Sequence, residues 1–421
     1  MNARVSSFAD VNAVLAEYVP PARAMRANYK LDTMRSLMKH LGNPQDTYKV
    51  VHVAGTSGKT STAYFTASLL KQAGIRVGLT VSPHVDALNE RLQIDLVTLA
   101  EKAYCQAFNQ FMDLITTSGL KPTYFELLVA FAYWYFAEAK VEYAVIEVGL
   151  GGLLDGTNVI TRTDKIAVLT DVGLDHVDVL GNTLPEIALQ KAGIMHAGNH
   201  AFCLPQATEI TDVFAQHASR VGAELHQTKS VELAQSSLAL FQQRNWSLAL
   251  AVVTFALQRD CYPVLTTQQQ RASQRVYIPA RMEYLPNKEF TLLLDAAHNP
   301  QKMHALVTSI TRKYPGQKWS VLLALLHSKD QRLSGVLKEL LPITKQLIVT
   351  DFVAGQDLRK TSASPKQIVM ACKALNFSAV SIEHNTARAY QMVLDAAGTH
   401  KLVTGSFYLL QEVHALAKQH S

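Results

Sequence analysis

Apolar runs of strand length alternate with segments of helical periodicity along most of this chain. In the first part the strand candidates are Tyr48–Val53, Arg76–Thr80, Tyr143–Val148 and Ile166–Thr170. The helix candidates between them are Lys59–Gln72, Glu101–Thr116, Thr123–Ala139 and Leu184–Gly193. Such alternation predicts a parallel sheet covered by helices on both faces. The pattern resumes with strands at Phe290–Leu294, Trp319–Ala324, Gln346–Thr350, Val380–Glu383 and Leu402–Thr404. Helical stretches near Lys302–Lys313, Leu333–Leu341, Pro365–Leu375, Ala387–Ala397 and Phe407–Lys418 separate them. The two series are divided by "YIPARMEYLPNKEF" (Tyr277–Phe290), which holds Pro279 and Pro286. The boundary is therefore set near Tyr284, with a first domain over 1–284 and a second over 285–421. The fold class predicted is α/β, two domains facing each other across a cleft.

Composition changes this picture little. A chain of 421 residues has room for two or three domains with proper cores. Its 48% hydrophobic and 18% charged residues are ordinary for a globular enzyme. The longest strongly apolar run, Leu127–Ala137, lies between Glu126 and Glu138 and is too short to span a bilayer, so it reads as a buried helix. The opening "MNARVSSFADVNAVL" has no apolar core followed by a cleavage site, and nothing in it points to export. Cys105, Cys203, Cys261 and Cys372 are far apart with no CxxC pair, which argues against a disulfide framework or zinc site and for a reducing cytoplasm. The formal net charge of +6 comes from scattered basic residues, with no long Lys/Arg run and no aromatic–basic module. A mildly basic surface meeting anionic small molecules is expected, with no nucleic-acid or membrane partner. The glutamine-rich "LTTQQQRASQ" ahead of the boundary reads as a solvated helix or loop.

Candidate chemistry begins at "VHVAGTSGKTS" (Val51–Ser61), a glycine-bearing turn between a predicted strand and a predicted helix. That context is what a phosphate-binding loop requires. Gly55 and Gly58 let the backbone approach closely, the N–H groups at the helix start point toward an anion, and Thr56 and Ser57 are read as part of the same nucleotide-binding loop. Lys59 supplies a mobile positive charge, and Thr60 or Ser61 can place a hydroxyl on Mg²⁺. Val53 stands where the first glycine of the GxxxxGK[ST] pattern would be.

Other stretches carry chemistry of their own. Glu147 closes an apolar strand, where a carboxylate either holds a metal beyond the sheet or is a solvated strand-end charge. His176 follows a second such strand by a short loop. Asp295 ends "FTLLLD", with His298 and Asn299 just beyond it, and Asn299-Pro300 also suits a capped helix start.

The shortened loop A-G-T-x-G-K-[ST]-[ST] resembles that of the Mur ligases and folylpolyglutamate synthases. "SPH…NER" (Ser82–His84, Asn89–Arg91), "YFELLVAFAYWYF" (Tyr124–Phe136), "EVGLGGLLDGTN" (Glu147–Asn158) and "GLDHVDVLGNTLPEIALQKAGI" (Gly173–Ile194) resemble segments of the folylpolyglutamate synthase and dihydrofolate synthase family. Asn245, "PARME" (Pro279–Glu283), "DAAHNP" (Asp295–Pro300), "KD" (Lys329, Asp330) and "TGSFYL" (Thr404–Leu409) follow in family order. The resemblance runs from about residue 25 to the end, and the set is highly specific. Three positions depart from the family's usual pattern: Leu153 where arginine is common, Gln190 where glutamate is common, and a "GTSGKTS" loop closer to the Mur ligases.

The resemblance implies a P-loop-containing parallel-sheet ATP-binding domain followed by a smaller Rossmann-like α/β domain. It implies ATP and Mg²⁺, two ions by expectation, in a cytoplasmic monomer. Ser82, Glu147 and His176 would bind one Mg²⁺, with Thr60 or Ser61 near a nucleotide-bound one. Lys191 would be modified by CO₂ to an anionic carbamate able to ligate metal, unless it is an exposed helix lysine. Asp295 and His298 would reach the nucleotide, joined by Asn245 at the base and Arg281 at the phosphates, and Ser406 would lie near the incoming amino acid.

The reaction implied joins L-glutamate to the carboxylate of a folate or of dihydropteroate through an acyl phosphate, with Lys59, Lys191, His176 and Arg281 as the catalytic group. A Mur-type ligase on a peptidoglycan precursor, a P-loop kinase and a binding protein without turnover are the competing readings.

Overall fold

The computed structural model describes residues 4–19, 30–231, 233, 236–327, 332–354 and 360–419. Lys329 and Asp330 lie outside the described residues. The chain divides into two compact units, Met1–Ser236 with Gln242–Tyr277, and Ser237–Phe241 with Ile278–Ser421. The division at Tyr277/Ile278 falls ahead of Tyr284, because Glu283–Leu285 pairs antiparallel with the strand Thr291–Asp295 of the second unit.

In the first unit the strands are β1 (Lys49–Ala54), β2 (Val77–Thr80), β3 (Gln93–Ile94), β4 (Val97–Thr98), β5 (Tyr143–Glu147), β6 (Ile166–Leu169), β7 (His200–Cys203) and β8 (Glu224–Gln227). They form one sheet in the order β4-β3-β2-β5-β1-β6-β7-β8, parallel from β2 to β8. The helices are α1 (Phe8–Ala16), α2 (Asp32–His40), α3 (Lys59–Gln72), α4 (Glu101–Ser118), α5 (Tyr124–Glu138), α6 (Val177–Leu180), α7 (Leu184–Ala192), α8 (Thr208–Val221), α9 (Leu240–Arg259) and α10 (Thr267–Ser273). The glutamine-rich stretch is thus helical, and α5 holds the long apolar run. No helix among the described residues is long and apolar enough to cross a membrane.

Alternation along the strands explains the layers. Val50, Ala144 and Ile146 join the core formed with α4 and α5, where Phe108, Phe111, Phe131 and Phe136 are fully buried. Ala54, Ala167, Leu169, Ala201 and Cys203 join Ile187, Ile210 and Phe214 of α7 and α8. The intervening residues Val51, Val53, Leu79 and Val145 are equally buried, on the face where α3 packs. Truncating a ring such as Phe131 to alanine in this setting costs about 3–5 kcal/mol. Helix starts are set by side chains: Thr123 with Glu126 caps α5, and Thr183 with Glu186 caps α7, each box contributing on the order of 1 kcal/mol.

Between these cores lies a polar seam. His52 Nε2 meets Thr157 Oγ1 at 2.9 Å, and the fully buried Lys165 donates to Ile160 O at 2.9 Å with His196 Nδ1 at 3.4 Å. Burial, and then the Lys165 charge, lowers the pKa of His52 well below the ordinary histidine value, and brings His196 to about 4. In the unfolded chain both titrate near the ordinary 6.5. The unfolded state therefore binds more protons between about pH 6.5 and 4, and stability falls as pH drops through that window. We expect the urea midpoint to decline from pH 7 to pH 4 and His196→Gln to flatten that decline; an unchanged slope in the variant would remove His196 from the cause.

The second unit carries β9 (Glu283–Leu285), β10 (Thr291–Asp295), β11 (Trp319–Leu323), β12 (Thr344–Val349), β13 (Val353–Ala354), β14 (Lys360–Thr361), β15 (Val380–Ile382) and β16 (His400–Thr404). Six of these form a sheet in the order β15-β12-β11-β16-β10-β9, parallel except for the edge strand β9, and β13 pairs with β14 alone. Its helices are α11 (Pro300–Lys313), α12 (Arg332–Leu340), α13 (Pro365–Ala374), α14 (Thr386–Asp395) and α15 (Phe407–Gln419). Both units are α/β, with strands joined by helices in the manner of doubly wound folds.

Candidate active site

The first unit's strand order reverses around β1: β5 and β2 lie to one side, β6 to β8 to the other. Such a switch point, beyond the carboxyl ends of parallel strands, is where open α/β sheets receive ligands. The loop Gly55–Gly58 leaves β1 there, and α3 begins at once with Lys59.

Gly58 takes φ +90° as the residue before α3, a backbone conformation that side chains resist, and a Cβ on it would lie 2.6 Å from Asn245 Oδ1. Asn245 is buried and so borders the loop from α9. Lys59 Nζ folds back to donate to Gly55 O at 3.1 Å. The first intrahelical donor is Thr62 N, to Gly58 O at 2.9 Å, so the N–H groups of Lys59, Thr60 and Ser61 precede the helical ladder and suit an anion. Thr56 N and Ser57 N differ, since both donate to Asp171 O, at 2.9 and 3.1 Å. Thr56 Oγ1 donates to Gly173 O at 3.0 Å, and Thr170 Oγ1 to Ser57 O at 2.7 Å. Thr56 and Ser57 thus anchor the loop to the end of β6.

Asp171 is held in turn by a bidentate pair with Arg244, with Nη2 to Oδ1 at 2.7 Å and Nε to Oδ2 at 3.0 Å. Neither Asp171 nor Arg244 was singled out by sequence reasoning. The only signal was a Thr-Asp pair at the end of a strand.

Glu147 ends β5 beside β1, its Cα in register with Val53. It is buried, with Oε1 accepting from Thr60 Oγ1 at 2.8 Å and Oε2 from Ser82 N at 3.2 Å. The reading of Glu147 as a solvated strand-end charge is therefore overturned. Thr60, Ser82 and Glu147 converge, whereas Ser61 is buried inside α3. The Thr60 hydroxyl and the Glu147 carboxylate are oxygen donors, the kind a hard divalent cation such as Mg²⁺ prefers, while Ser82 meets Glu147 through its backbone N–H. A small recess lined by Thr80, Ser82, Arg91, Phe125, Leu128 and Glu147 opens beside them.

In the "SPH…NER" pair, His84, Glu90 and Arg91 brace the turn beside this recess. Arg91 Nε donates to His84 Nδ1 at 2.8 Å, and burial, then Arg91, holds the His84 pKa well below the ordinary value. Glu90 accepts from the N–H groups of Val85, Asp86 and Ala87 at 2.6–2.8 Å and so closes the turn that carries Ser82.

Asp155 orders the glycine-rich segment in the same way, accepting from Leu150 N at 2.7 Å and from Thr157 N at 3.0 Å; burial raises its pKa against these hydrogen bonds. Asn158 Nδ2 reaches Leu153 O at 3.1 Å and Gly193 O at 2.9 Å. Leu153 N donates to Gln190 O at 2.7 Å, and a Cβ on Gly152 would lie 2.7 Å from Gln190 O and 3.1 Å from Lys191 O. The segment after Glu147 is thereby packed on the end of α7, where Lys191 is 3% exposed. Lys191 is not the exposed helix lysine of the alternative reading. The Leu153 side chain is partly exposed where the family commonly has arginine. His176 precedes α6 at φ +51°, a left-handed conformation, with its side chain half exposed and Nε2 at 3.9 Å from Asp175 Oδ1.

In the second unit Asp295 is buried at the end of β10, accepting from Met282 N and Ala297 N, both at 2.9 Å. Burial raises its pKa, opposed first by Arg281. Ala280 and Met282, on either side of Arg281, have φ of +55° and +47°, so the PARME turn is strained and held by Asp295 and by Glu283, which accepts from Ala280 N at 2.8 Å. The Arg281 guanidinium lies over the Phe407 ring at 4.6 Å. His298 Nδ1 is 2.8 Å from Ala296 O and its Nε2 is 3.0 Å from Lys302 Nζ. Asn299 caps α11 by accepting from Lys302 N at 2.9 Å, as the capping reading predicts. Ser406 Oγ accepts from Tyr408 N at 3.1 Å.

This geometry sits on a chain with extensive similarity to known proteins. Residues 53–248 match the Mur ligase middle domain, and residues 280–407 match the Mur ligase, glutamate ligase domain. The dihydrofolate synthetase of Saccharomyces cerevisiae is 29% identical over 420 residues, 93% of this chain and 98% of that protein. The folylpolyglutamate synthase of Lacticaseibacillus casei is 30% identical over 325 residues, 70% of this chain and 75% of that protein. The solved structure of Mycobacterium tuberculosis folylpolyglutamate synthase complexed with ADP superposes with a TM-score of 0.86 at 26% identity, covering 98% of this chain and 99% of that one. The chain belongs to the folylpolyglutamate synthase and dihydrofolate synthase family, with the two-domain Mur ligase fold.

Proposed function

We propose that this protein is an ATP-dependent, ADP-forming ligase that joins L-glutamate to the carboxylate of a folate or of dihydropteroate. The observation that carries this reading is the convergence of Thr60 and Ser82 on the buried Glu147, beside a strand–loop–helix phosphate site, in a chain of this family. The substrate carboxylate attacks the γ-phosphorus of ATP, forming the acyl phosphate and releasing ADP. The α-amine of glutamate then attacks the acyl carbon, and inorganic phosphate leaves with the C–O bond electrons as the amide forms. Crowded negative charge is the obstacle in the first step, and positioned cations answer it.

Within that scheme the N–H groups of Gly58, Lys59, Thr60 and Ser61 receive phosphate, Lys59 Nζ leaves Gly55 O for a phosphate oxygen, and Asn245 borders the nucleotide. Thr60, Ser82, Glu147 and His176 are the residues proposed to hold Mg²⁺, which when bound supplies charge neutralisation of the polyphosphate. We extend the nucleotide-binding assignment to Arg281, Asp295 and His298, and a role toward glutamate to Ser406, on the family resemblance. A second Mg²⁺, a monomeric state and a cytoplasmic setting belong to the same proposal.

Lys191 is proposed as a carbamate. Its burial supports this, since an ammonium placed among divalent cations is repelled, whereas a carbamate is an anionic oxygen donor. Lys191→Ala is expected to lose most turnover, with no response to added bicarbonate. Turnover equal to that of the parent with and without bicarbonate counts against a carbamate.

The functional reading is tested by measuring ADP release with dihydropteroate or tetrahydrofolate, with and without glutamate, and weighing the product by mass spectrometry. Glutamate-dependent ADP release and a product heavier by one glutamyl residue are expected. Folded protein that releases no ADP with either acceptor overturns the folate assignment. ADP release independent of glutamate with a stable phosphorylated product would make it a kinase.

A further inference from the structure

The outer edge of the first unit's sheet carries a group that the ligase chemistry does not use. β7 and β8 are parallel, with His200 opposite Glu224 and Phe202 opposite His226. Side chains two apart on a strand share a face, so His200, Glu224 and His226 project together. His200 Nδ1 lies 2.9 Å from His226 Nε2, Glu224 Oε2 3.6 Å from His200 Nδ1, and Glu224 Oε1 3.4 Å from His226 Nε2. Among the described residues, this is the one group of three His, Cys, Asp or Glu side chains whose ligand atoms all lie within 4.8 Å of one another.

We propose that His200, Glu224 and His226 form a binding site for a borderline divalent transition metal, Zn²⁺ foremost, on β7 and β8. A tetrahedral zinc with ligand bonds of about 2.0–2.2 Å holds its ligand atoms about 3.3–3.6 Å apart. The two carboxylate–imidazole separations fall in that range, one from each carboxylate oxygen. The imidazole–imidazole distance is that of a hydrogen bond between the rings, and a metal replaces it by widening the gap a few tenths of an ångström while the proton moves to the far nitrogen of its ring.

The rings are held for this. His226 stacks on Phe202 at 4.6 Å and 20°, and His200 packs on Phe255 of α9 at 4.5 Å. Arg259, four residues along α9 from Phe255, is the cation facing the group, and Glu224 offsets it. Two imidazoles and one carboxylate select zinc-like ions over Mg²⁺, and leave a fourth position for water. The cysteine spacing gave no hint of such a site because no cysteine takes part.

The test uses the full chain, stripped with chelator and titrated with ZnCl₂ by calorimetry in excess Mg²⁺, with CoCl₂ titration followed by visible absorption. The expected results are one saturable zinc per chain that excess Mg²⁺ does not displace, a cobalt spectrum of low coordination number, and a raised melting temperature. His226→Gln is expected to weaken zinc at least about tenfold while keeping the metal-free melting temperature and the ligase turnover. Glu224→Gln, on an exposed side chain, provides a second variant whose folding is not in question. Absence of saturable zinc in the parent chain overturns the proposal, and so does zinc binding of equal affinity in both variants.

Discussion

Replacing Lys59 by alanine is expected to lower kcat by about 10²- to 10³-fold, the loss that follows removal of one positioned charge or donor at a transition state. The side chain is partly exposed at the start of α3, and its one described hydrogen bond runs to Gly55 O in its own loop. Removing it deletes no core contact, so stability should change by only about 0.5 kcal/mol. Alanine is also a better helix former than lysine. Turnover and melting temperature therefore separate: the first collapses and the second holds. In the proposed chemistry the ammonium meets charge that grows on the phosphoryl oxygens, so the loss belongs mainly to kcat, with a smaller rise in the KM for ATP. Turnover within threefold of the parent enzyme would show that the loop does not act on phosphate during the reaction.

The elements that proved legible in the sequence were those with a strong period. The helix Lys59–Gln72 appears with the bounds its pattern predicts, and the strands at Tyr143 and Ile166 begin where expected and end one residue early. β8 was not legible, because "ELHQ" is a half-exposed edge strand with no apolar alternation to betray it. The two-residue strands β3 and β4 are too short for any period. The phosphate loop was legible because one stretch contains the strand, the turn and the lysine. Its supports were not: Asp171 O receives Thr56 N and Ser57 N, and Asn245 lies against Gly58, both through chain folding rather than local order. The motifs after the loop were recognised as a set, yet the sequence did not separate ligands from scaffold. Glu90, Asp155 and Asn158 turn out to organise backbone, and Arg91 to hold the His84 ring, roles visible only once their hydrogen-bond partners are placed.

Glu147→Gln should be the most informative change, because it removes charge while leaving shape. Among the partners of the carboxylate are the Thr60 hydroxyl, which donates to Oε1, and Ser82 N, which donates to Oε2. A glutamine can turn its oxygen to Ser82 N and its amide to Thr60, whose hydroxyl rotates from donor to acceptor. Both of these hydrogen bonds survive in that arrangement, so the melting temperature should fall by only a few degrees. What disappears is the anionic oxygen that, with Thr60 and Ser82, makes this corner suited to a hard cation. Turnover is expected to drop at least about 10²-fold, and the Mg²⁺ concentration for half-maximal rate to rise about tenfold or more. Glu147→Asp keeps the charge but withdraws it by one methylene, so it should recover part of the Mg²⁺ response and little of the rate. If Glu147→Gln kept both the rate and the Mg²⁺ dependence of the parent, the carboxylate would be a structural anchor for Thr60 and Ser82, and the metal would have to be held by other residues.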